Sequence, residues 1–168
     1  MSEMVKQLLS YHGAHSKLIV WAHNSHVGDA HYSDMQGRGR SNLGEMLRKD
    51  MVNENVFIVG MGSYKGSILA ARNWDSAAQV MEYAPARKGS IEELLHSTGE
   101  GNRILLSKDL PQDTLFSKWM WHRGMGLVEN PRSGLLGSYV NSLIPKRYDA
   151  FIFLEETHPL HPLEFSNH

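Results

Sequence analysis

The sequence predicts an α/β domain with a largely parallel sheet flanked by helices. Short apolar runs rich in β-branched and aromatic residues recur: KLIVWA at 17–22, NVFIVG at 55–60, RILLS at 103–107 and DAFIFL at 149–154. Segments with helical spacing lie between them. Hydrophobic residues make up 41% of the 168, enough for one real core and far from a disordered composition.

In chain order, Met4, Val5, Leu8 and Leu9 share a face of a helix over 3–11, and Gly13 stops it. Lys17–Ala22 does not alternate, so it reads as a strand covered on both faces. Residues 23–40 are polar, with three glycines and three histidines, and form a long loop. Ser41 then caps a helix that buries Leu43, Met46, Leu47 and Met51. Residues 55–60 give a second buried strand, Met61-Gly62-Ser63 a turn, and Tyr64–Ala71 a returning hairpin arm. Ser90 and Glu93 are spaced as a capping box, opening a short helix that ends near His96. Arg103–Ser107 is a third strand, and Pro111 starts a helix reaching Trp119 or Met120. Met125–Val128 is a short strand, and Asp149–Leu154 is the last buried one, running into Glu155-Glu156-Thr157.

Composition narrows the function. The 17 Lys+Arg and 18 Asp+Glu leave a formal charge of -1, spread evenly, with no basic face for nucleic acid. No apolar run approaches the ~20 residues of a membrane helix, and MSEMVKQLLS lacks a signal peptide's pattern, so the expected location is cytoplasmic. The absence of cysteine removes thiolate chemistry and Cys-ligated zinc. The GMGSYKGS stretch lacks both nucleotide-loop spacings, and no G-x-S-x-G elbow surrounds Ser63, Ser67 or Ser133. Hydrolysis would therefore have to activate water directly.

In open α/β sheets ligands bind beyond the carboxyl ends of strands. The first strand ends in His23-Asn24-Ser25-His26 and the last in Glu155-Glu156. An imidazole can take a proton from water near neutral pH, and a nearby carboxylate can orient it and stabilise the imidazolium. A second arrangement of the same groups makes His23, His26 and Glu155 ligands of a divalent metal with an open water position. The tryptophans and the other histidines read as packing, loop or helix-end residues.

The blocks WAHNSHVGDA, SNLGEMLRKD, NVFIVGMGSYKGSILAA, APARKGSIEELLH and RYDAFIFLEETHPLHPL together closely resemble the erythromycin esterase family, over about 17–163. The resemblance implies one half of a two-lobed esterase/haem-uptake-like fold, here its C-terminal half as a single domain over 1–168. It implies water-mediated opening of a macrolide lactone or a related ester, an antibiotic-inactivating (resistance) activity, with no cofactor. His23 would activate or position the water, and His26 would orient substrate or stabilise charge. Glu155 and Glu156 match an acidic pair ending the family's last strand. Arg87, within P-A-R-x-G-S, would contact an oxyanion or substrate, or form a structural salt bridge. Family members carry a first half with a Gly-Glu-x-x-His type motif that this chain lacks. The implied partners are thus a small ester or macrolide and either the missing N-terminal half or another chain. The alternative is a truncated, catalytically silent fragment or partner-dependent module.

Overall fold

The computed structural model describes residues 1–51, 55–111, 115–126 and 139–160. Helix α1 (Ser2–His12) comes first, then the one-turn helix α2 (Asn24–Val27) and α3 (Leu43–Asp50). Strand β1 (Val59–Ala70), β2 (Gln79–Tyr83), helix α4 (Ile91–Ser97) and β3 (Arg103–Leu106) follow. The chain closes with β4 (Met120–Arg123), β5 (Tyr139–Ser142), the short α5 (Ile144–Arg147) and β6 (Ala150–Thr157).

The α/β class holds. The main sheet has the order β2-β1-β6-β3, with β1 and β6 parallel at its centre and β2 and β3 antiparallel at its edges. Among the described residues, parallel pairing of strands is thus confined to β1 and β6. β4 and β5 form a separate antiparallel ribbon, tied to the start of α4 by a bridge between Ser90 and Trp121. One face of the sheet carries the core of Ile58, Ile91, Leu95, Ile144, Tyr148, Phe151 and Phe153.

Several expectations change. Lys17–Ala22 is no strand: it pairs with nothing among the described residues, and Ile19 and Trp21 are 89% and 91% exposed. An apolar run needs a neighbouring edge and two covering faces to become a central strand, and this one has neither. Met61-Gly62-Ser63 does not turn the chain but continues β1, and the returning arm is β2 rather than Tyr64–Ala71. The glycines serve close approach. A Cβ at Gly60 would lie 2.7 Å from the Tyr148 ring, and one at Gly62 would meet Phe151 at 2.7 Å and Glu92 at 2.8 Å.

Asn42, not Ser41, caps α3, its Oδ1 accepting from the Glu45 N–H at 3.1 Å. Of the expected apolar face, Leu43 is buried, Leu47 and Met51 are half-buried and Met46 is exposed. The N-cap at Ser90 forms as expected, Ser90 Oγ accepting from the Glu93 N–H at 3.2 Å, but the Glu93 carboxylate reaches back to the Gly89 N–H at 3.4 Å and not to that of Ser90, so the box is only half closed. The helix from Pro111 shrinks to a single 3-10 turn at Leu115–Ser117, with 112–114 outside the described residues. Met125 and Gly126 carry no strand, and 127–128 lie outside the described residues. β4 and β5 were not foreseen. Among the described residues no helix is long and apolar enough to cross a membrane.

Candidate active site

The histidine block sits on α2, which is only one turn long and is held by its neighbours. His23 is the N-cap, and its Nδ1 accepts from the Ser25 N–H at 3.2 Å and lies 2.8 Å from Ser25 Oγ. His23 Nε2 makes a short contact with the carbonyl oxygen of Met125. A carbonyl only accepts, so this ring carries its proton on Nε2 and uses Nδ1 as acceptor. The His26 ring is exposed, its centroid 6.5 Å from that of His23 at 75°, and it makes no hydrogen bond among the described residues.

From below, Asn42 Nδ2 donates to the Ser25 carbonyl at 2.8 Å and to the Gly28 carbonyl at 2.6 Å, fixing α2 against the start of α3. On the sheet side, the Asn24 side chain acts as a surrogate strand. Its Nδ2 donates to the Met61 carbonyl at 2.6 Å, and its Oδ1 accepts from the Met61 N–H at 3.2 Å. Beyond α2, Arg48 bridges Asp29 at 3.2 Å and Asp149 at 2.8 Å, and Asp149 in turn accepts from the Ile58 N–H at 2.7 Å. These bonds anchor the block on the sheet.

The other expected site residues lie apart from this pair. Glu155 Oε1 is 2.6 Å from His96 Nδ1, the imidazole of His96 is stacked on Tyr64 with centroids 3.7 Å apart, and Glu155 Oε2 is buried without a hydrogen-bond partner. Glu156 forms an ion pair with Lys65 at 3.4 Å. The Arg87 guanidinium lies 3.9 Å above the Trp121 ring and 5.0 Å from that of Tyr139, a cation–π seat with no ion pair among the described residues. No hydrogen bond or ion pair among the described residues joins Glu155, Glu156 or Arg87 to His23 or His26. Nor do any three His, Asp or Glu side chains among them converge as a metal site requires, so His23, His26 and Glu155 do not form the ligand set considered above.

What sequence reasoning missed lies deeper. His122 and Glu92 are 1% and 0% exposed at their side chains, with His122 Nδ1 3.1 Å from Glu92 Oε1. That contact is short but off the line of a full hydrogen bond, since His122 Nδ1 and Glu92 Oε2 both lack one. Glu92 Oε1 accepts the Arg123 N–H at 2.9 Å, and His122 Nε2 lies 3.2 Å from Asn24 Nδ2. Thirty residues separate the pair, and no local spacing links them. A hint lies in two tryptophans just before the histidine in WMWHRG, a run typical of a strand facing inward.

Taken together, a helix-covered sheet with a histidine turn bonded through Asn24 to the inner strand β1 defines an α/β protein. The chain belongs to the erythromycin esterase family, matching it over residues 1–157. Its fold is similar to the crystal structure of a Bacillus cereus protein, with a TM-score of 0.64 at 15% identity over 83% of this chain and 33% of that one. It is also similar to the crystal structure of a succinoglycan biosynthesis protein, with a TM-score of 0.62 at 16% identity and the same coverages, 83% and 33%. The chain therefore spans about a third of the length of either protein.

Proposed function

We propose that this chain is one lobe of a hydrolase that opens an ester or macrolide lactone with water, and that His23 and His26 carry the chemistry. The observation that carries the reading is the histidine turn: two imidazoles 6.5 Å apart, locked to β1 through Asn24. Membership of the erythromycin esterase family supports a hydrolase-type function, and the macrolide substrate is the finer part of the proposal. In place of the water-activating role the resemblance gives His23, His26, whose ring has no hydrogen-bond partner among the described residues, takes the water proton and passes it to the leaving alkoxide. His23 acts once substrate displaces the Met125 carbonyl, its Nε2–H then donating to the developing oxyanion. Glu155, Glu156 and Arg87, engaged with His96, Lys65 and Trp121, take no step in this reading.

The other lobe comes from an N-terminal half or from another chain. Coverage of a third of the similar solved proteins supports this, as does the exposed Leu18–Trp21 run beside the site. The test is His23→Ala and His26→Ala in whichever assembly hydrolyses esters. Each should lose about 10²–10⁴-fold in kcat, and wild-type turnover by either variant removes that residue from the mechanism.

The second reading, a catalytically silent partner-dependent module, is favoured by one specific observation: both ring nitrogens of His23 are occupied. Assaying the 168-residue chain alone against macrolides and simple esters separates the two. Turnover by the lone chain overturns the silent module.

A further inference from the structure

We infer that Glu92, His122 and Asn24 form a positioning relay that sets the register and tautomer of His23, an inference that rests on the hydrolytic reading of the histidine turn. The starting point is a cost. Burying an acidic and a basic side chain completely, with incomplete hydrogen bonding between them, is unfavourable for a fold that needs only packing. Glu92 and His122 are placed this way beneath α2.

The chemistry fixes each proton in turn. The Asn24 amide cannot be reversed, because reversal would set its oxygen against the Met61 carbonyl and its NH₂ against the Met61 N–H. With Nδ2 therefore facing His122, the ring nitrogen 3.2 Å away must be the acceptor. His122 then holds its proton on Nδ1, the nitrogen that faces the Glu92 carboxylate at 3.1 Å. The carboxylate charge across this contact favours the same tautomer without a full hydrogen bond.

The relay ends at the adjacent residue. Asn24 follows His23 directly, and the chain that carries His122 also supplies the Met125 carbonyl that receives His23 Nε2. β4 and the residues after it thus grip two consecutive positions of the histidine turn, one through a buried ring and one through a carbonyl. Without an acceptor at His122, the Asn24 amide keeps its bonds to Met61 but leaves one proton buried and unpaired, which favours swinging the turn away.

The test reads protons directly, using the full 168-residue chain labelled with ¹⁵N-histidine. Two-bond ¹⁵N–¹H spectra should show His122 bare at Nε2 and protonated at Nδ1, and His23 protonated at Nε2. His122→Gln places an acceptor oxygen near the lost Nε2 and should preserve the His23 tautomer. His122→Phe keeps the ring packing against Tyr148 and Phe151 but removes the acceptor, and it should convert His23 to a mixture of tautomers. Should that variant fail to fold, Glu92→Gln serves instead: its amide can donate to Nδ1, turning His122 to the Nε2–H form that confronts the Asn24 NH₂. In an ester-hydrolysing assembly His122→Phe should lower kcat by up to about 100-fold with KM unchanged, and His122→Gln should restore most of it. A wild-type His122 protonated at Nε2 overturns the relay, and so does a His23 tautomer identical in all variants. If no assembly hydrolyses esters, the hydrolytic reading falls while the spectra still decide the relay.

Discussion

Residues 17–22 and 149–154, KLIVWA and DAFIFL, carry nearly the same message and meet opposite fates. In the second, Phe151 and Phe153 are 1% and 0% exposed, and the strand pairs on both sides, parallel with β1 and antiparallel with β3. In the first, the apolar side chains face solvent and the backbone pairs with nothing among the described residues. A local pattern specifies what a segment can become. Whether it becomes a central strand depends on an edge to pair with and faces to cover it. Next to KLIVWA, the Asn24 amide already occupies the Met61 backbone groups on the side of β1 away from β6.

The comparison breaks most visibly at Phe153. Truncation to Ala removes a fully buried ring from the core cluster and leaves a cavity there. The expected cost is about 3–5 kcal/mol, read as a shift of the urea midpoint at constant slope. A cost near zero would mean that the two apolar runs are equally open in solution.

The next effect sharpens the buried side. Burial pushes the Tyr148 phenol up to about 12 from its ordinary 10.0; Arg147 opposes the shift and Glu92 adds to it. No hydrogen bond from the described residues reaches its hydroxyl oxygen, so only the Arg147 charge favours a phenolate there. The folded state therefore holds the phenol proton more tightly than the unfolded chain. This contribution is fully present below pH ~10 and is lost as pH rises through ~12, about 3 kcal/mol in all. Unfolding measured across that window, with Tyr148→Phe as reference, should show the steeper fall only in the wild type. Parallel profiles would sink the assignment.

What the sequence made legible follows the same division. The N-cap at Ser90, the strand at Arg103 and the last strand were readable because short-range signals decide them: a hydroxyl three residues before a glutamate, and apolar runs of strand length. The Met61-Gly62-Ser63 turn was misread because glycine also serves close approach, and only the fold brings Tyr148 and Phe151 against β1. At the site, the HNSH block stood out by its residue types. The Glu92–His122 pair did not, because it joins α4 to β4 and exists only through tertiary packing. Expecting Glu155 beside His23 erred for a related reason: the carboxylate reaches the rim of the sheet but meets His96 there.

The smallest expected effect is the most diagnostic. Trp21→Ser removes the largest exposed side chain of the 17–22 run. In the isolated chain it should change stability by less than about 0.5 kcal/mol, because the ring buries almost nothing to lose. In an assembly with a second lobe the same change should cost about 2 kcal/mol or more of association, since a tryptophan covered at an interface is a typical energetic anchor. Thermal unfolding of the lone chain and titration against the other lobe read the two arms separately. A large loss in the lone chain would show that 17–22 is packed in solution after all, and the contrast with 149–154 would vanish. Loss confined to association would mean that the open run is a strand whose covering surface lies on another lobe.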